Sequence, residues 1–441
     1  MTGEADPEEI FRAEGGILIL SATLGEETRD LFIGESGLIE YVGTAGAVRY
    51  GRDAAVTIDA RRCLVLPGLV NTHTHAAMTL LRGYADDMPL PQWLTEKIWP
   101  LEARLTGEDV YRGTRLACLE MIRSGTTAFN DMYFHMEDAA RAVAEAGIRA
   151  TLSYGFLDMG DPGKREKEYR ATEALVSHVA GLRNPRIRAA VGPHAVYTVS
   201  EEGLCWCAGY ARQEGIGIHV HLSETEQEVR DCMAAHGVRP AALLDRCGCL
   251  TPRTVAAHCC WLERGECDLL AARGTAASHN PTSNMKLAVG RAMPYHWLRE
   301  AGALVTLGTD GCASNNSLDM FRAMKDASLL QKFFWNQQTV LPAPEALAMA
   351  TEAGAGALGI GPGRIETGAP ADLILVSTHS ADMTPLHHAA SNLVYASTGG
   401  CVQTVICNGR VLMHERVVPG EQEVLEGAAK AARDLVERSR S

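Results

Sequence analysis

Between roughly residue 65 and residue 360 the chain alternates, unit after unit, between an apolar run rich in β-branched residues and a stretch with helical periodicity. Such alternation demands a parallel sheet, because each strand is followed by a crossover long enough to return to the same edge. The runs are LVLPGLVNTH, TTAFNDM, RATLSYGF, RIRAAVGPH, GIHVHLSE, TVAAHCCWL, GTAASHN and LVTLGTDG. Between them VYRGTRLACLEMIRSG, MEDAARAVAEAG, EGLCWCAGYARQEG and MPYHWLREAG read as helices, each closing on or near a glycine suited to a left-handed cap. Eight strand-helix units within about 290 residues predict an α/β chain built on a (β/α)8 TIM barrel.

The flanks read differently. From Ile17 to about Thr57, GILILSATL, RDLFIG and GLIEYVG are short apolar stretches separated by glycine and charge, the pattern of small antiparallel strands. A second such set lies in residues 364–418, where Asn408-Gly409 between two apolar runs marks a hairpin. The expected organisation is a barrel over residues 65–363 and a small composite β-sandwich domain from residues 1–64 and 364–441. The final segment, EQEVLEGAAKAARDLVERS, reads as an exposed amphipathic helix.

Composition narrows the partners. The chain has 46% hydrophobic and 22% charged residues, which places it among globular proteins. A net charge of −13 without a basic cluster argues against nucleic acid. The acidic, polar start and the absence of an apolar run of about 18 residues predict a cytoplasmic protein with no membrane partner. The 13 cysteines follow no disulfide spacing and are expected reduced; Cys247 and Cys249 read as buried small hydrophobes rather than metal ligands.

Unusual polar residues fall at equivalent places in the central units. His73 and His75 end the first run, His194 the fourth, His221 and Glu224 the fifth, His258 the sixth and Asp310 the eighth. Any one alone would more often be a structural polar group. In a barrel, however, all strand C-termini open on one face, so these residues would converge at its mouth. Alternate residues of a strand share a face, so both imidazoles of His73-Thr74-His75 can point inward. With His221 and Asp310 they make a mixed nitrogen and oxygen set that suits zinc, with iron, manganese or nickel left open. A bound metal acidifies a water. Glu224 is then a candidate general acid towards the substrate, and His258 and Asp310 candidates for the water's protons.

LVLPGLVNTHTHAAMTLLRG, GIHVHLSETEQE, VAAHCCWL, SHNPTSNMKLA and GTDGCASNNSLDM, in this order, resemble the amidohydrolase superfamily in its nucleoside and nucleobase aminohydrolase branch. The similarity runs through almost the whole chain. GRIETGAPADLILV and the terminal hairpin resemble that family's small β domain. The resemblance implies one metal ion per subunit, zinc first, on His73, His75, His221 and Asp310. VGPHAVYT offers no lysine for a second metal. It also implies that Glu224 protonates the ring nitrogen beside the attacked carbon, while His258 and Asp310 handle the water.

Further similarity is to the methylthioadenosine and S-adenosylhomocysteine deaminase family. DDMPLPQWLTEKIWPLEARLT matches the loop whose glutamate binds the ribose hydroxyls, here Glu102; GPHAVYTVS matches the motif whose histidine contacts the ribose or its 5′ substituent, here His194. Apart from this resemblance, Glu102 reads as an ordinary exposed acid. Relatives favouring S-adenosylhomocysteine place an arginine near the end of the third strand, whereas RATLSYGFLD has Tyr154 there, leaving Arg165 of GDPGKREKEY as the other cation for that carboxylate. The third-strand pattern is similar to that of the methanogen enzymes acting on 5′-deoxyadenosine. The implied activity is deamination of 5′-deoxyadenosine first, then methylthioadenosine, S-adenosylhomocysteine and adenosine. Alternatives are a guanine, 8-oxoguanine or s-triazine aminohydrolase, disfavoured by Glu102, and a silent scaffold barrel. The resemblance further implies a homo-oligomer, a tetramer first; FFWNQQ at 333–338 reads as a subunit contact or as core.

Overall fold

The computed structural model describes residues 7–13 and 15–440. The acidic opening at residues 1–6 lies outside the described residues. Eight strands run parallel in chain order: Leu69–Thr74, Thr126–Tyr133, Arg149–Phe156, Ile187–Pro193, Gly217–Leu222, Thr254–His258, Ala276–His279 and Val305–Leu307. The last meets the first. Peptide N–H groups of Thr309 and Asp310 donate to the His73 carbonyl at 3.1 and 2.9 Å, and the Thr72 hydroxyl lies 2.8 Å from that of Thr306. Every residue of the first two strands is buried, as expected for strands covered on both faces. Helices between strands close on Gly147, Gly215 and Gly302, all left-handed at φ 82°, 68° and 79°.

The predicted first run is two strands. Cys63–Pro67 pairs antiparallel with Leu373–Ser377, whereas Leu69–Thr74 opens the barrel. Pro67 lacks the N–H that a continuing ladder would use. At Gly68 a Cβ would collide with the Thr127 side chain, so the chain passes from one sheet to the other where only glycine fits. Both chain ends share the second sheet. Its order is Arg410–Met413, Val402–Cys407, Leu373–Ser377, Cys63–Pro67, Ile17–Leu24, Glu27–Ile33 and Ile39–Gly43, with Val56–Asp59 also paired to Ile17–Leu24. Asn408 and Gly409 turn the terminal hairpin with φ of 50° and 73°.

The last helix, Glu421–Arg440, is amphipathic but not free on all sides. Val424, Ala428, Ala431 and Leu435 are buried along one stripe, and Arg438 pairs with Asp109 of the helix Gly107–Arg123. The i, i+4, i+7, i+11 spacing that marks the apolar face is what docks it. All 13 cysteines are free, and all but Cys63 and Cys205 are buried. Among the described residues none joins a metal-binding cluster, and no helix is long and apolar enough to cross a membrane.

Candidate active site

The strand C-termini converge as the sequence pattern requires. His73 ends the inward run of the first strand and His75 follows it, their rings edge-on with centroids 5.0 Å apart. Each imidazole is oriented through its Nδ1. His75 donates to the Met132 carbonyl at 2.6 Å, His221 to the His194 carbonyl at 2.7 Å, and His73 shares a 2.7 Å hydrogen bond with His219 Nε2. All three Nε2 atoms therefore face a common point. Those of His75 and His221 are 3.3 Å apart, and those of His73 and His75 lie 3.4 and 3.3 Å from Asp310 Oδ1. His73 Nε2 is buried with no hydrogen-bond partner.

Lone pairs of neutral imidazoles brought this close repel unless a cation lies between them. Burial holds His73 down to about 4 and His221 well below the ordinary imidazole value, so these two are neutral. Against a burial that would raise it, the neighbouring His73, His75 and His258 hold Asp310 well below the usual carboxylate range. Its second oxygen accepts from Ser283 at 2.6 Å and Ser314 at 2.9 Å, while Gly311 N–H holds the first at 2.8 Å. Two overlapping donor groups, His73 with His75 and His221, and His73 with His258 and Asp310, offer imidazole nitrogens and an anionic oxygen that fit a divalent cation, each side chain fixed by a partner behind it.

Around this point a cavity of about 350 Å³ is lined by His75, Glu102, His194, His221, Glu224, His258 and Asp310. Of the candidate metal ligands and proton carriers, His73 alone is fully buried and off the cavity wall. Glu224 Oε1 lies 3.7 Å from His258 Nδ1, and burial, exceeding the opposing pull of His258, raises the Glu224 carboxyl. His258 Nδ1 donates to Asn284 Oδ1 at 2.8 Å, whose amide nitrogen is held by Cys260 Sγ at 2.9 Å. The His258 Nε2 is thereby left as the accepting nitrogen. His194 Nδ1 donates to the Thr198 hydroxyl at 2.8 Å, which itself donates to the Ala195 carbonyl. His258 and Asp310 both have positive φ, 71° and 65°, a strained backbone for residues other than glycine.

Glu102 is not an ordinary exposed acid. The short helix Trp99–Glu102 turns it inward beside Tyr133, and burial pushes it up to about 7 against the pull of the Tyr133 hydroxyl. Arg165 does not reach the cavity: its guanidinium is drawn to Asp158, Nε to Oδ2 2.9 Å. Its neighbour Lys164 lines the wall instead, the one lysine or arginine among the described lining residues. Tyr154 faces Glu168 and is not part of this wall. His219, Asn284, Ser283 and Tyr133 are the supporting residues that the sequence reading passed over. His219 carried a signal, since it precedes His221 by the same alternation that picked out His73 and His75.

The amidohydrolase family profile matches residues 64–412. A 5′-deoxyadenosine deaminase of Methanoregula boonei is 62% identical over 433 residues, covering 98% of this chain and 98% of the relative. One of Methanospirillum hungatei is 56% identical, over 98% of this chain and 96% of the relative. Among solved structures, an adenosine deaminase from Xanthomonas campestris with bound zinc superposes with a TM-score of 0.89 at 36% identity, covering 96% of this chain and 98% of that one. An atrazine chlorohydrolase from Arthrobacter aurescens, TM-score 0.84 at 23% identity over 94% of this chain and all of that one, shares the fold. With its profile match across most of the chain, and relatives more than half identical along nearly all of it, the chain belongs to the amidohydrolase family, as one of its hydrolytic deaminases.

Proposed function

We propose that the chain replaces the 6-amino group of 5′-deoxyadenosine by oxygen, releasing ammonia and the inosine analogue, and that it accepts methylthioadenosine, S-adenosylhomocysteine and adenosine less well. The observation that carries this reading is one cavity whose wall holds His75, His221 and Asp310, with buried His73 against them, together with the buried acid Glu224 and with Glu102. His73, His75, His221 and Asp310 would hold one zinc ion, as the zinc-bound deaminase neighbour suggests. When bound, that ion supplies the Lewis acidity that makes a water nucleophilic near neutral pH.

The chain's own residues do the rest. Glu224, its carboxyl pKa raised by burial, gives its proton to the ring nitrogen beside the attacked carbon, so that the ring accepts the electron pair of the incoming oxygen. His258, held through Nδ1 by Asn284, offers Nε2 to the water's proton, and Asp310 shares that task. The proton then passes to the leaving amine, which departs as ammonia. Glu102 accepts from the ribose hydroxyls and His194 faces the 5′ end. With Arg165 tied to Asp158, no bidentate cation meets an amino-acid carboxylate, and the point charge of Lys164 is a weaker substitute. A free base such as guanine or an s-triazine would leave Glu102 without a partner.

A homo-oligomer, tetrameric as in the first expectation, and a reducing cytoplasmic setting suited to 13 free cysteines complete the proposal. The test is ammonia release by the purified protein with adenosine, 5′-deoxyadenosine, methylthioadenosine, S-adenosylhomocysteine and guanine, with metal content measured on the same sample. The highest kcat/KM is expected for 5′-deoxyadenosine with one zinc per chain. Faster turnover of guanine, or a preference of about tenfold or more for S-adenosylhomocysteine, overturns it.

A further inference from the structure

The segment Thr225-Glu226-Gln227-Glu228 has the form of a helix capping box, in which the glutamate turns back to the N–H of the capping residue itself. Half of that box is present: the Thr225 hydroxyl accepts from the Glu228 N–H at 3.1 Å at the start of the helix Glu226–His236. The carboxylate goes elsewhere. It passes the cap and takes the two N–H groups before it, Ser223 N to Oε1 and Glu224 N to Oε2, each 2.8 Å. Ser223 is fully buried in the left-handed region, with φ 48°, and this turn is what sends the Glu224 side chain into the cavity. The other side of the turn is tied to the next strand end, where Cys259 N–H donates to Leu222 and Trp261 N–H to Ser223.

We infer that Glu228 is the positioning residue for Glu224, its buried carboxylate clamping both peptide N–H groups of the left-handed Ser223–Glu224 turn so that the acid is aimed at the substrate ring. The inference rests on the role proposed above for Glu224. Glutamine at 228 keeps one acceptor but turns an amide N–H₂ towards the other peptide N–H, so the clamp loses one arm. Aspartate keeps two acceptor oxygens and is too short to hold both. Neither change touches the cavity wall, on which Glu228 does not lie.

The experiment is steady-state kinetics of the zinc-loaded enzyme on 5′-deoxyadenosine for Glu228→Gln, Glu228→Asp and Thr225→Ala, each on the wild-type and the Glu224→Gln background. Glu228→Gln is expected to lower kcat about 10- to 100-fold with KM within about threefold and the zinc per chain unchanged, and Glu228→Asp to lower kcat less, in the same pattern. On the Glu224→Gln background the Glu228 changes should cost less than about threefold, because the group they aim is already gone. Thr225→Ala removes the ordinary cap; it should lower Tm and leave kcat within about twofold. The inference is overturned if both Glu228 variants keep wild-type kcat, if they lose zinc or raise KM in proportion, or if Thr225→Ala loses as much kcat as they do. If the wild-type enzyme prefers another aminated ring to 5′-deoxyadenosine, the substrate reading has failed, and the same comparison run on that ring still decides the role of Glu228.

Discussion

Glu224 and Glu102 are two acids on one cavity whose proposed roles need opposite protonation states. Burial raises both. For Glu224 that is useful, since a general acid works only while protonated and is lost as pH rises through its pKa. Glu224→Gln is expected to cut kcat by about 100-fold or more while metal content stays at the wild-type level; loss of the metal would show instead that Glu224 supports the ligand shell. For Glu102 the same push, up to about 7, works against function, because a carboxylate binds ribose hydroxyls best when ionised. KM for nucleosides should therefore fall as pH rises between about 6 and 8, and Glu102→Gln should flatten that dependence; a KM that stays constant or rises over this range contradicts the assignment. His73 and His75 were readable from the sequence because strand alternation fixes which side chains share a face. The fates of Arg165 and Glu102 were not, because they depend on Asp158 and Tyr133, residues whose proximity no local pattern encodes.

The elements follow local chemistry wherever one sheet or one helix is involved. The glycine-ended helices and the Asn408-Gly409 hairpin form as their residue types dictate. Local pattern fails at LVLPGLVNTH, an unbroken apolar run that belongs to two sheets. Hydrophobic periodicity measures burial, and both halves are buried, so the change of partner from Leu373–Ser377 to the barrel leaves no trace in it. Only the pair Pro67-Gly68 marks the crossing. Gly68→Ala should accordingly destabilise the fold by about 1–3 kcal/mol through its clash with Thr127, read as a lower midpoint in denaturant unfolding, with kcat of the folded fraction unchanged. A wild-type midpoint would mean that Thr127 gives way without cost.

At the scale of the whole molecule, the described lining of the cavity comes from the barrel strands and the segments that follow them. The homo-oligomer proposed above would show its signature on the surface. The helix Met320–Trp335 buries Met320, Phe321, Met324 and Ala327 inward, yet its outer side carries Leu329 at 46% and Phe333 at 88% exposure, four residues apart and so on one stripe. Trp335 turns away from this stripe to pack, half-buried, on His296 and Trp297, while the other five residues of FFWNQQ are exposed, so the segment is surface rather than core. A phenylalanine left this open costs apolar hydration that a second copy would remove. Light scattering should give a mass well above the 47.4 kDa of one chain, and Phe333→Glu should lower it towards that value with kcat/KM unchanged. A wild-type monomer, or an oligomer indifferent to a charge at 333, would place the contact elsewhere, and a loss of kcat on dissociation would show that neighbouring copies stiffen the barrel after all.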